Sequence, residues 1–314
     1  MTRAIVARAP TRLDLGGGWT DVPPYPEREG GVVCNIAITR YATARVSRGG
    51  QTHGTDRLVR AALKYSGMSD VNGAVTSDFP VGAGLGGSSA AGVALAGSLA
   101  ELAGAPLEPY ALAALSRTTE VEGLGIAGGY QDHYAAAFGG ALLLTFESDV
   151  GVEGVPLSAA FRAAFAQRAV LVYTGESRIS GDTINAVRHD YVAGAPRVVN
   201  ALARMKSLAI EMAAALARED LDTVGALVGE HWTHQRMLHP SITTPAIDAI
   251  TSVAARAGAL GTKALGASGG GCVLAIAAAG RDDELVQALT PLGERITFAI
   301  DTTGFAVIAR MDDE

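Results

Sequence analysis

The chain has 314 residues, a formal net charge of −7, 48% hydrophobic residues and 18% charged ones. Such a chain can bury a sizeable core in one large domain or two ordinary ones, which argues against a disordered protein. The acidic balance and the lack of a basic run argue against a general nucleic-acid or membrane-surface binder, yet leave room for an anionic small ligand held by a few cations and helix N-termini. Aromatics are only 5%, so Ala, Val and Leu must fill much of the core. Cys34 and Cys272 each sit in an apolar run and read as buried free thiols. The start, MTRAIVARAPTR, lacks the apolar region of a signal peptide, and the stretch 90–103 is too short to span a bilayer. The expectation is a cytoplasmic protein with neither membrane nor nucleic acid as partner.

In chain order, Val32 to Val46 is rich in β-branched residues and reads as two strands around a turn. Residues 56–65 read as a helix with Asp56 as its cap, and Val75 lies in a short strand. A glycine loop follows, then a helix over 89–103 with Ser88 or Ser89 at its start. Residues 109–122 read as a helix with Pro109 in its first turn. Residues 140–146 and 169–173 read as buried strands. The segments 196–218, 220–238 and 244–257 have helical apolar spacing. Strands at 272–278 and 305–310 flank a helix at 282–290. The polar segment 148–165 is the expected boundary between two α+β lobes, the second with a helical insertion.

The loop at 80–91, PVGAGLGGSSAA, raises the question of its ligand. Gly82, Gly84 and Gly87 fit G-x-G-x-x-G, the dinucleotide pattern. That pattern needs a strand running into the first glycine, and here Asp78 and Pro80 interrupt the approach. No G-K-[ST] follows, so a Walker A loop is excluded. What remains is a glycine loop feeding a helix whose N–H groups and dipole suit phosphate. The Ser88 and Ser89 hydroxyls suit a hard cation such as Mg²⁺. An ordinary glycine turn with a serine cap is the bland alternative.

Two further stretches carry chemistry. APTRLDLGGGWTDVPPYP at 9–26 places Arg12, Asp14 and Asp21 around three glycines, and ionised carboxylates beside a turn suit sugar hydroxyls. Asp21 could equally be a turn or cap residue before Pro23. EVEGLGIAGGYQDHYAAAFGG at 120–140 places Asp132 after a glycine pair, either as a helix cap or as a carboxylate that orients or deprotonates a hydroxyl. His231 and His234 share a helix face, but no third metal ligand is evident and H-E-x-x-H is absent.

These stretches, with GASGGGC at 266–272, resemble the GHMP kinases, the superfamily of galactokinase, homoserine kinase, mevalonate kinase and phosphomevalonate kinase. Ala9, Pro10, Arg12, Thr20 and Asp21 carry the first motif. Pro80, Gly84, Leu85, Gly86, Ser88, Ser89 and Ala90 carry the second. Gly266, Ala267, Ser268, Gly269, Gly270 and Gly271 carry the third. Within the superfamily the nearest resemblance is to the D-glycero-D-manno-heptose 7-phosphate kinases, on RLDLGGGWTDVPPY, GGYQDHYAAAFGG, YTGESRIS at 173–180 and ITTPAI at 242–247. GGWTDVPP also resembles fucokinases. An acid stands at Gly18 in galactokinases, which argues against galactose.

The resemblance implies a two-lobed α+β fold. A ribosomal S5 domain 2-like, ATP-binding lobe spans 1–155, and a ferredoxin-like lobe with a helical insertion spans 165–314. It implies ATP and Mg²⁺ as cofactors and transfer of the γ-phosphoryl to the anomeric hydroxyl of a sugar or sugar phosphate, with a homodimer left open. Asp132 and Arg12 take the catalytic positions. Pro80, Gly82, Ala83, Gly84, Leu85, Gly86, Gly87, Ser88, Ser89 and Ala90 bind nucleotide. Ser89 and Glu120 hold the metal, with Glu122 as the neighbouring alternative to Glu120. Asp14, Gly17, Gly18, Trp19, Thr20, Asp21, Gly129, Arg178, Gly269 and Gly270 bind the acceptor. A 7-phosphate calls for a cation, for which Arg178 is preferred over Arg188, Arg236 and Lys263. The rivals are an NAD(P)-dependent oxidoreductase and a non-catalytic binding protein on the same fold.

Overall fold

The computed structural model of the protein describes residues 2–49, 56–126, 128–176 and 181–312. Its elements, in chain order, are β1 (Thr2–Gly16), α1 (Tyr25–Glu29), β2 (Gly31–Arg48), α2 (Arg57–Ser66), β3 (Val71–Ser77), α3 (Gly87–Ala103), α4 (Pro109–Thr118), α5 (Gln131–Phe138), β4 (Ala141–Phe146), β5 (Val150–Val155), α6 (Ala159–Arg168), β6 (Ala169–Tyr173), α7 (Gly181–Val192), α8 (Pro196–Ala217), α9 (Leu221–Leu238), α10 (Pro245–Arg256), β7 (Ala259–Ala264), β8 (Cys272–Ala277), α11 (Asp282–Leu289), β9 (Glu294–Arg295) and β10 (Ala306–Asp312).

Two antiparallel sheets organise the chain. The first runs β10-β1-β2-β4-β5, with β3 also paired to β2; the second runs β7-β8-β6-β9. This is the two-lobed α+β architecture expected, with the last strand returning to pair with β1. Side chains alternate across β2: Val33 enters a core with α2, α3 and α4, while Val32, Cys34, Ile36 and Ile38 enter another with α6, α8 and the second sheet. Both faces are therefore covered, which is why this strand reads as a nearly continuous apolar run.

Val32 to Val46 is one strand and not two around a turn. Pro10 pairs with Tyr41 and Thr11 with Ile38, so Thr39 and Arg40 form a bulge where the turn was expected. Thr39 N donates to Ala299 O, and Arg40 Nε donates to Thr297 O. The Ala299 contact satisfies the Thr39 N–H that the pairing with β1 leaves over, the Arg40 carbonyl accepts from Thr11 Oγ1, and the Arg40 side chain ties the bulge to residue 297. The segment 148–165 contains β5 and the start of α6, elements that the sequence reading did not assign. Cys34 and Cys272 are buried free thiols, and burial pushes both well up. Among the described residues no helix is long and apolar enough to cross a membrane.

Candidate active site

A cleft lies where the first sheet, its helices and the second sheet's turns converge. Its lining comes from four stretches of chain, at 12–22, 82–89, 120–132 and 265–270, together with Ile184. In β1 the alternation of a strand sends Leu13 and Leu15 into the core while Arg12 and Asp14 line the cleft.

The loop before α3 is built by close backbone contact. Gly84 has φ +75°, and a Cβ there would lie 2.6 Å from Leu265 O. Cys272 N donates to Ala83 O at 2.8 Å, so the glycine loop and the third-motif turn are laced together. Ala83 and Leu85 point into the core and Ala90 is buried, leaving Gly82, Gly84, Gly86, Gly87, Ser88 and Ser89 on the cleft wall. The helix start differs from expectation. Its N-cap is Gly86 at φ 74°, with no side-chain cap, and not Ser88 or Ser89. The serines instead join the first turn, whose N–H groups have no side-chain cap and belong to the cleft wall, as a phosphate site requires.

The helix expected over 109–122 is α only to Thr118; residues Thr119–Gly123 form a π turn. Such turns re-aim side chains at functional sites. Here Glu120 is buried and lines the cleft, while Glu122 is exposed. Ser89 Oγ donates to Glu120 Oε2 at 3.2 Å, and His133 Nε2 lies 3.0 Å from the same oxygen. His133 Nδ1 faces Ser116 Oγ at 3.0 Å. Burial raises the Glu120 pKa, but the hydrogen bonds and charge of His133 with those of Ser88 and Ser89 outweigh it, so the carboxyl is held below its ordinary value. The two candidate metal donors are oxygens, the neutral Ser89 hydroxyl and the Glu120 carboxylate, a set that fits a hard cation such as Mg²⁺.

Arg12 Nε donates to Asp132 Oδ1 at 2.6 Å, and its Nη1 to Gly84 O at 2.7 Å. Asp132 lies in the first turn of α5 but does not cap it, since the helix has no cap bond of its own. The capping oxygen comes from Asp21, whose Oδ2 accepts from Tyr130 N at 2.8 Å and Gln131 N at 3.0 Å. Gly129 makes this possible: a Cβ there would sit 2.1 Å from Asp21 Oδ2. Burial pushes the Asp21 carboxyl up to about 6; the two N–H donors pull it down, and the nearby Asp132 and Asp14 charges add to the rise.

Not every expected acceptor residue reaches the cleft. Trp19, Asp14, Asp21, Gly129 and Gly270 line it; Gly17, Gly18, Thr20 and Gly269 do not. The Thr20 hydroxyl is spent on Gly17 O and Val32 O, pinning the first-motif turn to β2. Pro80 also stands outside the lining. Arg178 lies outside the described residues. Lys263 is not available to a substrate phosphate: it is fully buried, with Nζ 2.9 Å from Asp14 Oδ2. Arg236 is exposed and Arg188 half-buried. His231 is fully buried and kept neutral by its burial and the Lys263 charge; no group of three metal-ligating side chains occurs among the described residues.

Several contributors escaped sequence reasoning. His133 and Ser116 set Glu120, and Gln131 lines the cleft. Gln235 donates to Ser268 Oγ at 2.9 Å and Gly266 O at 3.1 Å, steadying the third-motif turn from α9. The signal for Gln235 was a second polar residue, one turn after His231, on the buried stripe of α9.

Comparison with known proteins agrees with this geometry. The GHMP kinases N terminal domain matches residues 55–140, and the GHMP kinases C terminal domain matches 212–292, together more than half of the chain. The D-glycero-alpha-D-manno-heptose 7-phosphate kinase of Campylobacter jejuni is 28% identical, over 91% of this chain and 93% of its own. The L-fucokinase/L-fucose-1-P guanylyltransferase of Bacteroides fragilis is 26% identical, over 86% of this chain but 34% of its own. In fold, the crystal structure of a D-glycero-D-manno-heptose 1-phosphate kinase from Bacteroides thetaiotaomicron superposes with a TM-score of 0.79, at 24% identity, over 98% of this chain and 100% of that one. An uncapped helix start lies directly beside a carboxylate–guanidinium pair in one cleft, and both halves of the chain match one family: the protein belongs to the GHMP kinases.

Proposed function

We propose that the protein transfers the γ-phosphoryl group of ATP to the anomeric hydroxyl of a sugar, with D-glycero-D-manno-heptose 7-phosphate as the acceptor. The observation that carries this reading is the Arg12–Asp132 pair, set in one cleft with the first turn of α3. In this reading, residues 1–155 form the nucleotide-binding half and 165–314 the second half.

Backbone N–H groups of residues 86–89 hold the phosphates. Ser89 and Glu120 would hold Mg²⁺, which when bound neutralises charge on the phosphate oxygens. Asp132 accepts the hydrogen bond of the reacting hydroxyl and aims its lone pair at phosphorus, and the hydroxyl proton leaves to Asp132 or to solvent as the O–P bond forms. Arg12 fixes that carboxylate and offsets the charge that develops as the new O–P bond forms and the bond to ADP breaks. Asp14, Asp21 and Trp19 surround the sugar. Arg178 is the proposed cation for the 7-phosphate.

A second reading, a free sugar as acceptor, has its own support. The described acceptor end is lined by Asp14, Asp21, Trp19, Val22 and Ile184, and its described cation, Arg12, is already engaged by Asp132. Carboxylates and apolar side chains suit a neutral polyol better than a dianion. ADP release should be measured with heptose 7-phosphate, free heptose, mannose, fucose, mevalonate and homoserine. A preference for heptose 7-phosphate that Arg178→Ala abolishes supports the first reading. Preference for a free sugar replaces it with the second. Turnover of mevalonate or homoserine alone overturns both.

A further inference from the structure

Gln131 opens α5, one residue before Asp132. Its backbone N–H donates to Asp21 Oδ2 at 3.0 Å, which fixes the residue between the carboxylate of the first-motif turn and that of Asp132. Its side chain is 6% exposed and lines the cleft. The Oε1 end is turned to β2, where it accepts from Nδ2 of the fully buried Asn35 at 3.4 Å. The Nε2 end has no partner among the described residues and, unlike Trp19 Nε1, is open to solvent.

Electrostatics fixes which way round the amide sits. Asp21 and Asp132 line the same cleft, so a carbonyl oxygen turned into it would be repelled where an NH₂ group is attracted. Turning both amides over would gain nothing at Asn35, since it would exchange an unpartnered Oδ1 for an unpartnered Nδ2. The cleft wall beside Asp132 therefore presents a neutral, unused donor among acceptors. Sugar hydroxyls donate, and carboxylates satisfy them. A sugar ring oxygen carries no proton and only accepts. When the reacting hydroxyl is anomeric, that ring oxygen is bonded to the same carbon, whereas an ordinary alcohol carries none there.

Resting on the sugar-kinase reading, we infer that Gln131 is a specificity-determining residue whose Nε2 donates to the ring oxygen of the acceptor sugar, beside the hydroxyl held by Asp132. Asn35 is the positioning residue: it holds Oε1 against β2 and so turns Nε2 to the cleft. Asp132 takes the oxygen that bears a proton and Gln131 the oxygen that does not, so adjacent residues read the oxygens of one carbon. The site thereby selects a closed hemiacetal over an ordinary alcohol, independently of any phosphate at the far end of the substrate.

The test is a cycle between one protein group and one substrate atom. Let kcat/KM be measured for wild type and Gln131→Met with the preferred sugar of the panel above and with its carba analogue, in which a methylene replaces the ring oxygen. The altered reactivity of the analogue's hydroxyl weighs on both enzymes alike and cancels. Beyond that shared loss, the analogue should cost the wild type about 10-fold more than the variant, the size of a hydrogen bond whose donor is left unpaired. Gln131→Met should raise KM for the natural sugar and leave KM for ATP unchanged. Asn35→Leu should show part of the same pattern, because the amide is then free to swing; an asparagine that only supports the fold would lower the Tm and leave the analogue's cost at the wild-type value. If Gln131→Met does not fold, Gln131→Asn, which retracts the amide by one methylene, takes its place in the cycle. Equal costs of the analogue in wild type and variant overturn this inference and leave the kinase reading standing. A rise in KM for ATP alone gives the amide to the phosphates and overturns it as well. A wild type that phosphorylates no sugar overturns both.

Discussion

Arg12 and Asp132, 120 positions apart in sequence, meet at 2.6 Å between Nε and Oδ1, one side chain 5% exposed and the other 26%. The pair leaves Asp132 partly open to the cleft while fixing its orientation. Asp132→Asn keeps the shape and removes the charge. We expect kcat to fall on the order of 10²-fold or more, as for acid–base groups generally, with MgATP affinity unchanged by calorimetry. A near-normal kcat would leave Asp132 as a structural partner of Arg12.

The Glu120 cluster predicts a metal phenotype. Ser89→Ala and Glu120→Gln should each raise the Mg²⁺ needed for half-maximal rate and weaken Mg²⁺-dependent ATP binding in calorimetry. His133→Ala should do the same by about 10-fold through release of Glu120, because groups that orient a metal ligand matter nearly as much as the ligand. His133→Gln, which can still donate to Glu120, should restore part of the loss. An unchanged Mg²⁺ dependence in all four would remove this cluster from the metal site.

Asp21 predicts a pH dependence of definite sign. Its ordinary pKa is 3.8 and burial raises it to about 6 in the fold. The folded state therefore binds the proton more tightly, and the contribution of Asp21 to stability is greatest below 3.8. It declines as pH rises to about 6, by about 3 kcal/mol in all, and is flat above. In urea melts, Asp21→Asn should gain on the wild type between pH 4 and 6.5. Ionised Asp21 is also the better acceptor for a sugar hydroxyl, so wild-type kcat/KM for the sugar should rise through about pH 6. A wild type that instead gains on the variant over that range would contradict the burial argument.

Gly129 tests the same carboxylate sterically. Gly129→Ala places a methyl group where Asp21 Oδ2 stands, at 2.1 Å. The acceptor KM should rise about 10-fold or more and the Tm should fall. Gly154→Ala, with open space at its Cβ, is the control. Matching behaviour of the two variants would show that Asp21 moves aside at no cost.

The uncapped start of α3 predicts the nucleotide. Calorimetry should show MgATP binding and no comparable signal for NADH. Tight NADH binding without ATP binding would return the G-x-G-x-x-G reading of the loop.

The local chemistry of the loops was legible in the residues themselves. Pro80 before the glycines argued against a dinucleotide strand, and the glycine–serine run announced a helix start of the kind that suits phosphate. Short-range signals of this kind depend on neighbours in sequence, so they survive without tertiary context. Long strands buried on both faces lose the alternation that marks a strand, so β1 went unassigned and β2 looked broken at a bulge whose polar groups find partners near residues 297–299. The resemblance already preferred Glu120 to Glu122, but the π turn that buries the one and exposes the other has no sequence signature. His133 beside Glu120 and Lys263 facing Asp14 across two sheets depend on packing between segments far apart in the chain. Burial decided their roles: the same lysine that reads as a solvated surface charge becomes, once desolvated, a fixed countercharge for one carboxylate of the cleft.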